Sequence, residues 1–256
     1  MSDFHFHKGN GPLLVSIPHV GLKIPEEIKA DMTDAALSLE DTDWYIERLY
    51  KFLHNMDVSI IAADYSRYVV DLNRGADGVS LYPGQKVTEI CPTTTFGDVP
   101  LYKGGVKPDE KKRIEKYWRP YHDKIRAELD RIKQIHGFAR LWDAHSIKSH
   151  VPALFDGQLP DLNLGTGDGI SAKFSLVEKL NQLVGNSGYT SALNGRFKGG
   201  YITRHYGDPD NNIDAVQLEI SQITYMDEAP DNRFRKDKAD KLRPVLRSLI
   251  ETMLKS

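Results

Sequence analysis

The sequence predicts an α/β fold, a mixed central sheet flanked by helices, built as a single domain over residues 1–256. Three observations predict it. Short apolar runs of strand length recur along the chain, charged amphipathic stretches alternate with them, and the 256 residues, 40% hydrophobic and 27% charged, suffice for one sizeable core.

In chain order, PLLVSIP at 12–18 is an apolar run closed by proline, the pattern of a buried strand, and His19 follows at its carboxyl edge. In open α/β sheets that edge is where ligands bind. From Thr42 to Asn55, Trp44, Tyr45, Leu49, Phe52 and Leu53 recur at helical spacing, with Asp41, Thr42 and Asp43 available to cap the first turn. VSIIAA at 58–63 and YVVDL at 68–72 read as two further strands, the second running into Asn73-Arg74-Gly75. Residues 75–105, rich in Gly, Pro and Thr, form a long loop region, a lid or binding loop if ordered. Lys107 to Ile135 is a charged helix with Pro120 as a bend or break. FARLWDA at 138–144 reads as a strand that delivers Asp143 and His145 at its end. Residues 157–169 are a Gly- and Asp-rich loop before a helix from about Ser171 to Val184. Gly199-Gly200 is a turn, or a place of close backbone approach. YITRH at 201–205 and VQLEI at 216–220 are strand-like, and residues 231–255 form a charged amphipathic helix.

Composition narrows the function. Lys plus Arg number 34 against 36 Asp plus Glu, a net charge of -2, so no long-range attraction for nucleic acid or anionic lipid is expected and an anionic ligand must be held by local arginines. The single cysteine, Cys91, excludes an internal disulfide and a cysteine-built zinc cage. No run approaches the roughly 18 apolar residues of a spanning helix, and the N-terminal MSDFHFHKGN lacks the apolar stretch of a secretory signal, which together point to a cytoplasmic protein with no membrane partner.

Metal ligands, if present, must therefore be His and carboxylate. His19, Asp43 and His145 form such a set, each at the end of an expected element, with Asp41 competing for the carboxylate position and helix capping, worth roughly 1 kcal/mol, as the ordinary role of either aspartate. Asp143 shares a strand face with His145 and is a candidate to orient it. Glu219 stands among Val216, Leu218 and Ile220 on the opposite face of its strand, where a buried carboxylate is costly unless paired or functional. Such a group can exchange protons with a reacting water. Arg67, Arg74 and Arg204 lie in or beside expected strands and are the anion-site candidates, whereas the other arginines considered sit on charged helical faces.

Six blocks then carry a family resemblance: SIPHVGLKIP (16–25), DTDWYIERLY (41–50), SRYVVDLNR (66–74), LWDAHSIKS (141–149), NGRFKGGYITRHYG (194–207) and VQLEIS (216–221). In this order they resemble the N-formylglutamate amidohydrolase family over nearly the whole chain, a branch of the zinc carboxypeptidase/phosphorylase-hydrolase-like α/β fold. The resemblance implies cleavage of N-formyl-L-glutamate to formate and L-glutamate within bacterial histidine degradation. It implies Zn2+, or another divalent metal, on His19, Asp43 and His145, with Glu219 as general base and acid. It favours Asp43 over Asp41, although Leu22 occupies the place where the parent superfamily has its carboxylate ligand. Asn73-Arg74 resembles the pair that holds a terminal carboxylate in carboxypeptidases, with Arg204 or Arg67 left for the second carboxylate. The same chemistry on another N-acyl amino acid or small peptide, and a binding module without turnover, are the alternative readings.

Overall fold

The structure, a computed structural model, describes residues 3–79 and 88–255. Its main sheet has seven strands: β1 (Phe4–His7), β2 (Leu13–Ile17), β3 (Ser59–Ala63), β4 (Ala139–Ile147), β5 (Leu162–Gly165), β6 (Ser191–Leu193) and β7 (Ile213–Ser221), in the order β1-β3-β2-β4-β7-β5-β6. The central strands β3, β2, β4 and β7 run parallel, while β1 pairs antiparallel with β3 and β5 antiparallel with β7. The sheet is therefore mixed, as expected, and the carboxyl ends of β2, β4 and β7 lie side by side.

Alternation along the strands divides the core. Leu13, Val15 and Ile17 of β2, Trp142 and Ala144 of β4, and Val216, Leu218 and Ile220 of β7 belong to one cluster. It is covered by α3 (Ile46–Leu49), α6 (Phe174–Gly185) and α8 (Lys236–Lys255). The other face, with Leu14, Leu141 and Ala215, packs on α5 (Arg119–His136), which α4 (Glu110–Arg113) and a π turn over Ile114–Trp118 precede, on α7 (Tyr201–Tyr206), and on the short α1 (Glu26–Lys29) and α2 (Asp34–Leu37). Each fully buried Val, Leu or Ile among them contributes roughly 1.5–3 kcal/mol.

Several elements depart from expectation. Residues 68–72 form no strand. They run as a buried chain of turns whose backbone N–H groups are met outside any ladder, Tyr68 by Ser66 Oγ at 3.2 Å, Asp71 by the Ile90 carbonyl at 2.7 Å and Asn73 by Asp71 Oδ1 at 2.9 Å. YITRH is helix α7, not strand: buried Ile202 and Tyr206 recur four residues apart, a period that a five-residue window hides. The helix expected from Thr42 is short, because Tyr45 at φ 62° interrupts it and the Asp43 N–H is turned to the His19 carbonyl at 3.1 Å. None of Asp41, Thr42 and Asp43 caps it. Residues 157–169 contain β5, and the final helix begins at Lys236. The π turn directly before Pro120 accommodates a residue with no N–H to donate, so the long helix continues without a break. The expected lid falls partly on 80–87, outside the described residues.

Candidate active site

His19 stands two residues beyond β2, past Pro18, and His145 lies within β4, directly across the ladder from Glu219 of β7. Asp43 comes from the turn before α3. All three candidate ligands are buried, and one nitrogen or oxygen of each lies within 4.8 Å of the others. Asp43 Oδ2 is 3.1 Å from His145 Nδ1 and 3.9 Å from His19 Nδ1. Two ligand atoms about 2.0–2.1 Å from a tetrahedral zinc stand roughly 3.3 Å apart, so these separations suit one shared cation.

The far nitrogen of each imidazole faces a carboxylate. His19 Nε2 lies 2.7 Å from Asp71 Oδ1, and His145 Nε2 lies 3.0 Å from Asp143 Oδ2 and 2.9 Å from the Asn73 amide nitrogen. Such partners orient a ligating imidazole and raise its basicity. Two nitrogens, one carboxylate oxygen and a carboxylate behind each ring fit a divalent ion of borderline softness. Burial opposes a charge on His145, but Asp143 and Asp43 outweigh it and hold its pKa well above the histidine range. Burial, with Arg67 nearby, lowers that of His19. For Asp71, burial is overcome by the Arg67 guanidinium and His19, which keep it well below the carboxylate range.

Asp41 is turned elsewhere, its Oδ2 accepting from the Tyr68 hydroxyl and the Phe96 N–H, both at 2.8 Å. Burial pushes the pKa of Glu219 up to about 8, partly offset by His145 and reinforced by Asp43. Gln217, two residues before it on the same strand face, accepts from the Gly200 N–H at 2.7 Å, which fixes the amide with its nitrogen 3.4 Å from Glu219 Oε2.

His19, Asp43, Arg67, Asn73, Arg74, His145 and Glu219 all line one cavity. Arg67 is held by Asp71 at 2.6 Å and lies over the Phe96 ring. Arg74 donates to the Asn73 carbonyl at 2.9 Å and to the Thr88 hydroxyl at 2.9 Å. Behind this segment, the Trp118 indole donates to the Arg74 carbonyl at 2.8 Å and His122 Nε2 meets the Leu72 carbonyl at 2.9 Å, so α5 and its π turn fix the position of Asn73-Arg74. Gly200 has a packing role: a Cβ there would meet the Asn73 amide nitrogen at 2.3 Å. Arg204 does not line the cavity. It is on α7, beside Gly167, and its Nε donates to the Gly199 carbonyl at 2.8 Å. Sequence reasoning passed over Arg196, which does line it. The signal was available only in the NGRFKGG block, where the glycines suggested a plain turn.

A sequence model of the N-formylglutamate amidohydrolase family matches residues 11–226. The chain is 49% identical over 253 residues to an N-formylglutamate deformylase of Pseudomonas putida, covering 97% of this chain and 94% of that protein. It is 48% identical to the protein of the same name from Pseudomonas aeruginosa, over 97% and 95% of the two chains. Among solved structures, an N-formylglutamate amidohydrolase from Ralstonia eutropha superposes with a TM-score of 0.80 at 22% identity, covering 98% of each chain. A gene product of Agrobacterium tumefaciens gives 0.75 at 15% identity, over 99% and 95%. These two likenesses speak to the fold.

Proposed function

The chain belongs to the N-formylglutamate amidohydrolase family, and on that premise we propose that it hydrolyses N-formyl-L-glutamate to formate and L-glutamate with a divalent cation on His19, Asp43 and His145. The observation that carries the reading is the meeting of this ligand set, the raised-pKa Glu219 and the arginines Arg67 and Arg74 in one cavity. Zinc is the cation these donors fit best, with cobalt and manganese as substitutes. When bound, the cation supplies Lewis acidity to the scissile carbonyl and acidifies water.

The chain's own residues do the rest. Glu219 takes a proton from the attacking water as its oxygen bonds to the formyl carbon. It returns that proton to the amine nitrogen as the C–N bond breaks, and its burial, which raises the carboxyl's pKa above the usual carboxylate range, makes it a stronger base for the first transfer. Asp71 and Asp143 hold the two imidazoles in orientation. Arg74 with Asn73 takes the substrate carboxylate next to the reacting amide, since the Asn73 amide lies against His145 itself. Arg67, between Asp71 and Phe96, supplies positive charge deep in the cavity.

The test is formate release from N-formyl-L-glutamate by purified protein, before and after a chelator and with zinc added back, beside N-acetyl- and N-succinyl-L-glutamate. Release that the chelator abolishes and zinc restores, greatest on the formyl compound, is expected. Absence of release from the zinc-loaded protein on all three overturns the reading.

A further inference from the structure

We propose that Arg196 is the specificity-determining residue that binds the distal, side-chain carboxylate of the substrate, an inference that rests on the activity proposed above. A dicarboxylic N-acyl amino acid presents two anions at different depths. The proximal one is a single carbon from the reacting nitrogen, and Asn73-Arg74, joined directly to His145, stands at that depth. The distal carboxylate is three carbons beyond, so its partner belongs on a part of the wall not built from ligand-bearing segments. Arg196 meets that condition. It lines the same cavity from the loop after β6, and its Nε donates at 2.6 Å to the Leu154 carbonyl, a bond that fixes the guanidinium plane.

The surroundings favour an ion pair. The guanidinium carbon is 5.5 Å from the centre of the Phe197 ring, and Ile147, Leu154 and Phe197 contribute apolar wall beside it. Leu154, Arg196 and Phe197 are all partly buried, so a carboxylate there is screened less than on an open surface and a two-pronged contact is stronger. Of the two arginines expected for this anion, Arg204 lies outside the cavity, and Arg67 lines it but is paired with Asp71 at 2.6 Å.

The decisive quantity is the ratio of kcat/KM for N-formyl-L-glutamate to that for N-formyl-L-glutamine, which has the same shape without the distal charge. Arg196→Met and Arg196→Gln are expected to lower this ratio by about 10- to 100-fold, through KM for formylglutamate, while formylglutamine turnover stays within about threefold of wild type. A ratio equal to wild type's, or a parallel fall on both substrates, overturns the proposal. A second measurement needs no variant: labelling of wild-type protein by an arginine-specific dicarbonyl reagent, read at the Arg196 peptide by mass spectrometry. Formylglutamate is expected to protect Arg196 and formylglutamine to protect it far less. Equal labelling with both also overturns the proposal. Wild-type protein that releases formate from neither compound would instead refute the proposed activity, and the protection experiment would still report on the carboxylate.

Discussion

Asp41 and Asp43 are both buried and two residues apart, yet their partners differ. Asp43 Oδ2 faces the Nδ1 atoms of His145 and His19, whereas Asp41 is consumed by Tyr68 and Phe96. Asp43→Asn is therefore expected to lower bound metal, measured by elemental analysis after dialysis, well below one per chain, and Asp41→Asn to leave it near one. Full metal occupancy in the Asp43 variant would remove it from the ligand set. Glu219 touches no metal-facing nitrogen in this arrangement, so Glu219→Gln should keep the metal and lower kcat by about 100- to 10,000-fold with little change in KM. A folded, metal-loaded Glu219→Gln protein with nearly wild-type turnover would exclude it as the proton carrier. The candidate ligands His19 and His145, and Glu219, were legible in the sequence because each sits at or near the end of a strand-like run, and Asp43 because it stands in the turn before an apolar helical stretch. Arg196 was not, since nothing about an arginine in a glycine-rich stretch says which wall of a cavity that stretch will form.

At the scale of elements, legibility followed hydrogen-bonding regularity. β2, β3, β4 and β7 are apolar or alternating runs of strand length with their own ladders, and their sequences say so. Residues 68–72 have the same apolar character, but turns, the side chains of Ser66 and Asp71 and the Ile90 carbonyl satisfy the backbone of this segment, which periodicity cannot register. The expected α/β frame therefore stood while the segment carrying Arg67, Asn73 and Arg74 changed type. That segment is held by α5 through His122, whose ring is stacked at 3.8 Å on Trp118. Burial lowers the pKa of His122 to about 3, with smaller contributions from His205 and Arg126 and an opposing one from its bond to Leu72. The unfolded chain binds a proton at this histidine near pH 6.5 while the native state refuses it until about pH 3. Stability from this group is thus present above pH 6.5 and lost as pH falls towards 3, by about 1.4 kcal/mol per unit within that window, or roughly 2 kcal/mol by pH 5. Urea unfolding of wild type and His122→Gln at pH 7 and pH 5 should differ by about that amount in the pH-dependent loss, the variant losing less. Equal losses would mean that His122 does not carry this linkage.

Over the whole molecule, the parallel centre of the sheet brings three carboxyl ends together and concentrates Asp43, Asp71, Asp143 and Glu219 around two imidazoles and the buried guanidinium of Arg67. The hydrophobic faces above and below lock this cluster in place, and the Arg67–Asp71 pair at 2.6 Å is its one internal cation contact with a guanidinium among the described residues. A divalent ion that binds the assembled ligands and not the unfolded chain stabilises the fold by mass action, about 2.7 kcal/mol at a hundredfold excess over its Kd. For a chain of this length that corresponds to a rise in Tm of roughly 5–10 °C. Chelation should lower Tm by the same interval without altering far-UV circular dichroism at 25 °C, because the sheet and its two apolar faces do not depend on the ion. Asp43→Asn should begin at the lower Tm and respond to neither chelator nor zinc. A wild-type Tm that zinc and chelator leave unmoved would show that no ion couples to the folded cluster, and the four carboxylates would then have to be accounted for by protonation and by Arg67.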